Sequence, residues 1–161
     1  MQRFARVSIA TVGRRAFSDA PAAATVMTLN FTTPHSAVYT NKEVSKVTLP
    51  GEMGEFGVTM NHSPIISQLR AGVVQIEHLG GEKEEFFVAG GFSITNDKSV
   101  TDVSVNEAVP LDELDESAVR SGYADAQREM SGKEAGSLEH ATAQTEANVY
   151  QAMGRALGIS L

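Results

Sequence analysis

What a chain can do chemically depends on the reactive side chains it can bring together, and this one offers few. Its four histidines, His35, His62, His78 and His140, lie far apart and none belongs to a paired metal-ligand motif. With no cysteine in 161 residues, a disulfide framework, a zinc ribbon, a thiol nucleophile and a cysteine-held iron–sulfur cluster are excluded. His62-Ser63 lacks the nucleophile elbow or any other local mark of a catalytic serine. The run Gly51-Glu52-Met53-Gly54-Glu55-Phe56-Gly57 is rich in glycine, yet it has no phosphate-binding lysine and leads into an extended segment. It reads as a strand-connecting loop, and Glu82-Lys83-Glu84-Glu85 as a solvated hairpin tip. The expectation is a protein without catalytic residues, cofactor or metal.

Composition narrows the alternatives. Apolar residues make up 42% and charged residues 20%, as in globular chains. No stretch approaches the roughly 20 apolar residues of a bilayer span. A net charge of -7 argues against nucleic acid, which calls for a basic face, and favours a basic protein surface as partner. The charge is uneven. The first twenty residues hold four arginines, Arg3, Arg6, Arg14 and Arg15, against one acid, Asp19. Phe4, Val7, Ile9 and Val12 would form an apolar face opposite them on a helix, as in a mitochondrial transit peptide, and Arg15-Ala16-Phe17-Ser18 resembles a processing site. Residues 1–17 are therefore expected to be a leader, whose removal leaves nine bases against twenty acids, a net charge of -11.

These features need elements to carry them. From Thr25 to Val105 short extended segments alternate with turn residues every 8 to 12 positions, the spacing of a β-sandwich or barrel. The expected segments are 26–31, 35–39, 44–49, 56–60, 73–79, 85–89, 92–95 and 99–105, with turns at Thr33-Pro34, Asn41-Lys42, Leu49-Pro50-Gly51, Gly80-Gly81, Gly90-Gly91 and Asn96-Asp97-Lys98. Val74 and Ile76, and again Val103 and Val105, alternate with polar neighbours, so one face of each strand is buried. Gly80-Gly81 and Asn96-Asp97 reach positive φ easily and predict antiparallel hairpins. After Pro110 the pattern turns helical. The acids 112–116 suit a first turn, and Leu111, Leu114, Ala118, Val119, Tyr123, Ala126 and Met130 recur at helical spacing. A second helix is expected over about 138–157, rich in alanine, giving an antiparallel hairpin that must rest on the sandwich or on a partner. The domains expected are 1–17 leader, 18–106 β-sandwich and 107–161 helical hairpin.

Three ordered motifs resemble one family. Leu49-Pro50-Gly51-Glu52-Met53-Gly54-Glu55-Phe56-Gly57-Val58 followed by His62-Ser63-Pro64-Ile65-Ile66 is similar to a G-x-x-G-E-x-G-[IV] loop and an H-[AS]-P turn. Leu69-Arg70-Ala71-Gly72-Val73-Val74-Gln75-Ile76 resembles its L-x-x-G-x-[VI]-x-[IV] strand, and Val88-Ala89-Gly90-Gly91-Phe92 its glycine-pair turn. The family is the epsilon subunit of bacterial and chloroplast F-type ATP synthases, called delta in mitochondria, and the resemblance covers roughly residues 26 to 120.

That resemblance implies a sandwich of about ten strands with a two-helix C-terminal domain, part of a rotating central stalk on the matrix side of the mitochondrial inner membrane. It implies the gamma subunit, the c-ring and the small mitochondrial epsilon subunit as partners. The matching loop residues Glu55, Met60, Asn61, His62, Ser63 and Pro64 are expected at the c-ring, and an apolar strip drawn from Val73, Val74, Ile76, Phe86, Phe87 and Phe92 at gamma. Phe86 and Phe87 must face opposite sides of a regular strand, so at least one is expected outside the sandwich core or at its margin. Two alternatives stand beside it. A nucleotide-sensing regulatory subunit would need the motif [IL]-D-x-x-R-A, but Ala118 stands where its arginine belongs and Arg120 lies about 200° around the helix. A stand-alone β-sandwich ligand-binding or hydrolytic module is the other.

Overall fold

The structure is a computed structural model describing residues 26–161, so the proposed leader lies outside the described residues. Ten strands form one sheet that curls into two facing layers, in the order β10-β7-β6-β3-β5-β8-β9-β1-β2, with β4 paired on β3. The strands are β1 Met27–Thr32, β2 Ala37–Val44, β3 Lys46–Gly51, β4 Gly54–Thr59, β5 Ile65–Leu69, β6 Gly72–Glu77, β7 Lys83–Val88, β8 Gly91–Thr95, β9 Val100–Val105 and β10 Ala108–Pro110. β3 is the corner. Its Val47 and Thr48 lie against Ile76 and Gln75 of β6, while Gly51 meets Leu69 of β5. The chain therefore passes from one layer to the other within six residues.

Between the layers the centre is an apolar cluster, and beside it Ser93, Thr95 and Thr101 of β8 and β9 are buried as well, the two threonine hydroxyls 3.0 Å apart. Met27, Leu29 and Phe31 of β1, Val47 and Leu49 of β3, Val74 and Ile76 of β6, and Val103 and Val105 of β9 are buried in one cluster. Phe31 meets Phe86 from the opposite layer edge-to-face, with ring centroids 5.5 Å apart. The alternation expected at Val74, Ile76, Val103 and Val105 is as read, and β6–β7 and β8–β9 are the antiparallel pairs expected at their turns. Asn96 closes the second turn with its own side chain, its Oδ1 accepting from the N–H groups of Lys98 and Val100.

Other expectations are corrected. Asn41-Lys42 is not a turn but lies inside β2, and Asn41 has φ 50° because it sits at a bulge where β1 and β2 lose register between Leu29 and Phe31. The turn comes at Ser45 instead, between β2 and β3. Leu49-Pro50-Gly51 is likewise strand, ending β3. β5 and β10 were not among the expected segments. β10 pairs with β7, so the sheet runs to Pro110, past the expected boundary at 106.

The first helix begins later than its acids suggest. Leu111–Glu113 form a 3₁₀ turn, Leu114 is extended, and α1 (Glu116–Ser131) starts behind Asp115, whose carboxylate accepts from the N–H groups of Ser117 and Ala118. These bonds, with that from the Ser117 hydroxyl foremost, lower the Asp115 pKa. α2 (Leu138–Ala156) is capped by Ser137. The two helices pack through small residues, Ala126 on α1 and Ala143 and Ala147 on α2, and α2 rests against β6. Tyr150 lies over Gly122, where a Cβ would come within 2.4 Å of the ring. The tail folds back: Leu161 covers Gly154, and Arg120 donates to the Ser160 carbonyl at 2.8 Å.

Glu82-Lys83-Glu84-Glu85 is more than a solvated tip. Glu84 accepts from the Tyr39 hydroxyl of β2 and lies 3.4 Å from His78 Nε2, joining β2, the last strand of one layer, to the β6–β7 hairpin of the other. The Tyr39 bond, helped by His78 and against the opposing effect of burial, holds the Glu84 carboxyl below its ordinary 4.5, while burial first and Glu84 second push Tyr39 up to about 12. A carboxyl depressed on folding contributes stability above its unfolded pKa and loses it as pH falls through its folded value. Tyr39→Phe is expected to lower unfolding free energy by about 1 kcal/mol at pH 7, discounted for exposure. In urea titrations the gap to wild type should narrow as pH falls below the ordinary 4.5 and through the folded value of Glu84; a gap that persists once the carboxyl is protonated in both states would contradict this role.

Candidate docking surfaces

The loop residues expected at one contact are divided by the fold. Glu55 stands at the beginning of β4, opposite Pro50, beside the turn whose Met53 is fully exposed. Met60, Asn61, His62, Ser63 and Pro64 follow the other end of β4, which puts them roughly 17 Å from Glu55 along the strand. The two groups share a sequence motif and not a surface point. Asn61 has φ 57°, and its N–H donates to the Ser99 hydroxyl at 2.8 Å, tying the second loop to the β8–β9 turn. His62 Nδ1 lies 2.7 Å from the Ser63 carbonyl. Met60 is exposed, and Pro64 leads into β5.

Glu55 instead borders a groove of about 620 Å³ between the outer face of β6–β7 and α2, which Arg70, Gln75, Glu85 and Arg155 also line. Gln75 donates to its cross-strand partner Glu85 at 2.6 Å on the sheet wall of this groove. Arg120, the base nearest the place of the missing motif arginine, is engaged with the tail at Ser160. Among the described residues no group of three or more His, Asp or Glu side chains is placed to hold a metal ion.

The apolar strip also lies elsewhere than expected. Val74 and Ile76 are core, because their parity on β6 points them between the layers. Phe86 faces that core and is half-buried, whereas Phe87 points outward and is buried outside the core cluster, on the side where the helical segment packs. Val73, its partner on β6, is half-buried on that same side. Of the six only Phe92 is largely open to solvent, at 57% exposure. Its companions are Ile66 and Ile94, 75% and 47% exposed, which stand opposite each other on β5 and β8. Neither was named by the periodicity. A signal was present, since Ile66, Phe92 and Ile94 put aliphatic and aromatic residues on the outward faces of strands whose inner positions, Leu69, Ser93 and Thr95, are already apolar or small.

The sequence matches the family model described as the ATP synthase delta/epsilon chain β-sandwich domain over residues 26–111. It is 37% identical over 150 residues to the mitochondrial ATP synthase F(1) complex subunit delta of Dictyostelium discoideum, covering 89% of this chain and 84% of that protein. It is 33% identical to the mitochondrial ATP synthase subunit delta of Saccharomyces cerevisiae, over 86% of each. In three dimensions it resembles a chain in the Euglena gracilis mitochondrial ATP synthase OSCP/F1/c-ring structure, with TM-score 0.79, 24% identity, and coverage of 91% and 89%. That likeness extends through the helices and so supports the whole fold.

Proposed function

The chain belongs to the delta/epsilon family of ATP synthase subunits and is a non-catalytic central-stalk subunit of the mitochondrial F-type enzyme, and from that premise we propose that its sandwich joins the gamma subunit to the membrane c-ring. Rotation driven by proton flow would then pass through it to the catalytic subunits. The observation that carries the gamma contact is the exposed Ile66–Phe92–Ile94 face on an otherwise well-formed sandwich. A contact that carries torque must resist sliding, and apolar side chains seated in a partner do so better than solvated charges. The face replaces Val73, Val74, Ile76, Phe86 and Phe87 as the gamma surface, keeping Phe92.

The c-ring contact is assigned to Glu55 and to Met60-Asn61-His62-Ser63-Pro64 as two patches. A ring of repeated loops offers several points, so patches roughly 17 Å apart can each meet one. A rim carboxylate such as Glu55 contributes only about 0–1 kcal/mol, so charge there chiefly sets register. The small mitochondrial epsilon subunit is the further partner, residues 1–17 are a leader removed on import, and the protein lies on the matrix side of the inner membrane, held there through the c-ring. Among the described residues no helix is long and apolar enough to cross a membrane. The body comprises the sandwich to Pro110 and the helical hairpin after it.

Cysteines placed singly at 55, 62 and 94 of the assembled enzyme test this. Cross-links to c from 55 and 62, and to gamma from 94, are expected, with Glu55→Lys leaving coupling largely intact. Absence of any c cross-link from both loops would remove the c-ring assignment, and absence of a gamma cross-link from 94 would remove the other.

A further inference from the structure

The exposed face has a second zone. Across the sheet the register runs Ile66 opposite Ile94, Ile94 opposite Asp102 on β9, and Asp102 opposite Asn30 on β1. One outward row therefore passes directly from two exposed isoleucines to a carboxylate. Asp102 is the single formal charge that β5, β8, β9 and β1 present on this side, and the next acid, Glu43 on β2, has the same sign.

This carboxylate is held. Asn30 Nδ2 donates to Asp102 Oδ1 at 2.6 Å, and Asn30 Oδ1 accepts from the N–H of Asn41 at 2.7 Å, the residue at the β2 bulge. The bulge thus orients the amide, and the amide orients the acid. Asp102 Oδ2 has no hydrogen bond among the described residues. A carboxylate fixed in advance, at the margin of an apolar patch, loses little side-chain freedom when it pairs, and its pairing strengthens as the patch excludes water.

We propose that Asp102 is the residue that sets the register of this face on its partner, by receiving a basic side chain that lies beside the apolar contact, with Asn30 as its positioning residue. The occupant is the gamma subunit, so the inference rests on the gamma reading of the Ile66–Phe92–Ile94 face. Arginine suits the position better than lysine, because its guanidinium is weakly hydrated and its planar fork can take the free oxygen while lying against Phe92. The negative sign of the zone excludes an acidic partner surface there.

Association of the purified chain with gamma, followed by surface binding at several salt concentrations, reads the two ideas separately. Asp102→Asn should weaken binding roughly ten- to hundredfold and flatten its salt dependence, with the melting temperature of the free chain unmoved. Asn30→Ala should weaken binding less and leave the salt slope, since the charge remains but is no longer oriented. Ile66→Ser with Phe92→Ser should weaken binding strongly at every salt concentration. If the apolar variant loses binding while Asp102→Asn binds with wild-type affinity and slope, the register role of Asp102 is overturned and the gamma face stands. If the apolar variant binds as wild type, the gamma face falls and this inference with it.

Discussion

Gly91→Ala is expected to destabilise the sandwich by about 3 kcal/mol, at the upper end of overpacking changes, although it adds a single methyl group. A Cβ built at position 91 would lie 2.2 Å from the Ser104 carbonyl oxygen and 2.8 Å from the Val105 Cα. Both are backbone atoms of β9, so no side chain can swing away. Relief requires β8 to part from β9 where Gly91 is registered against Val105. Gly80→Ala is the internal comparison: nothing stands within 4 Å of its Cβ position, and the change should stay within about 0.5 kcal/mol. Urea unfolding of both variants measures the difference. Equal midpoints would show that β9 can yield at Ser104.

Phe31→Ala is expected to cost about 3–5 kcal/mol, the range for emptying a buried aromatic site. Phe31 is fully buried at the centre of the cluster and carries the edge-to-face contact with Phe86, so its loss leaves a void between the layers and removes a ring pair. Phe92→Ala deletes the same atoms from a side chain that is 57% exposed, and should change stability by no more than about 1 kcal/mol. The pair of phenylalanines separates folding from docking. A Phe31→Ala chain as stable as Phe92→Ala would mean that the layers collapse onto the space.

These residues also mark how far the sequence could be read. The inner row of β6 and β9 was legible because Val74, Ile76, Val103 and Val105 alternate with polar neighbours, and period two has one structural meaning. The Gly90-Gly91 turn was legible as punctuation, but the approach of the Ser104 carbonyl was not, since it depends on a strand thirteen residues later. Asn41 misled because positive φ serves bulges as well as turns. β10 was invisible at three residues, one of them proline.

The candidate surfaces were legible as motifs and misleading as geometry. Glu55 and His62 sit close together in the chain, yet an intervening strand carries them to its opposite ends. The apolar residues of β6 and β7 read as a docking strip because sequence does not show which outward face a helix will cover; Phe87 is buried there, while Ile66 and Ile94 stay exposed. Asp102 and Asn30 are 72 residues apart and are brought together only by the parallel pairing of β1 with β9.

That pairing imposes an order in time. Among the described residues β1 is the first strand to leave the ribosome, and it lies between β2, which follows it at once, and β9, where Phe31 finds Val103. At about 5–20 residues per second, the stretch between them takes roughly 4–14 s to synthesise. Throughout that interval the edge of β1 that β9 will cover is unpaired and Met27, Leu29 and Phe31 are uncovered, a combination that invites aggregation. The nascent chain cannot complete its sheet until β9 has emerged. A sheet whose first strand is also an interior strand delays its own closure until nearly the whole sandwich has been made.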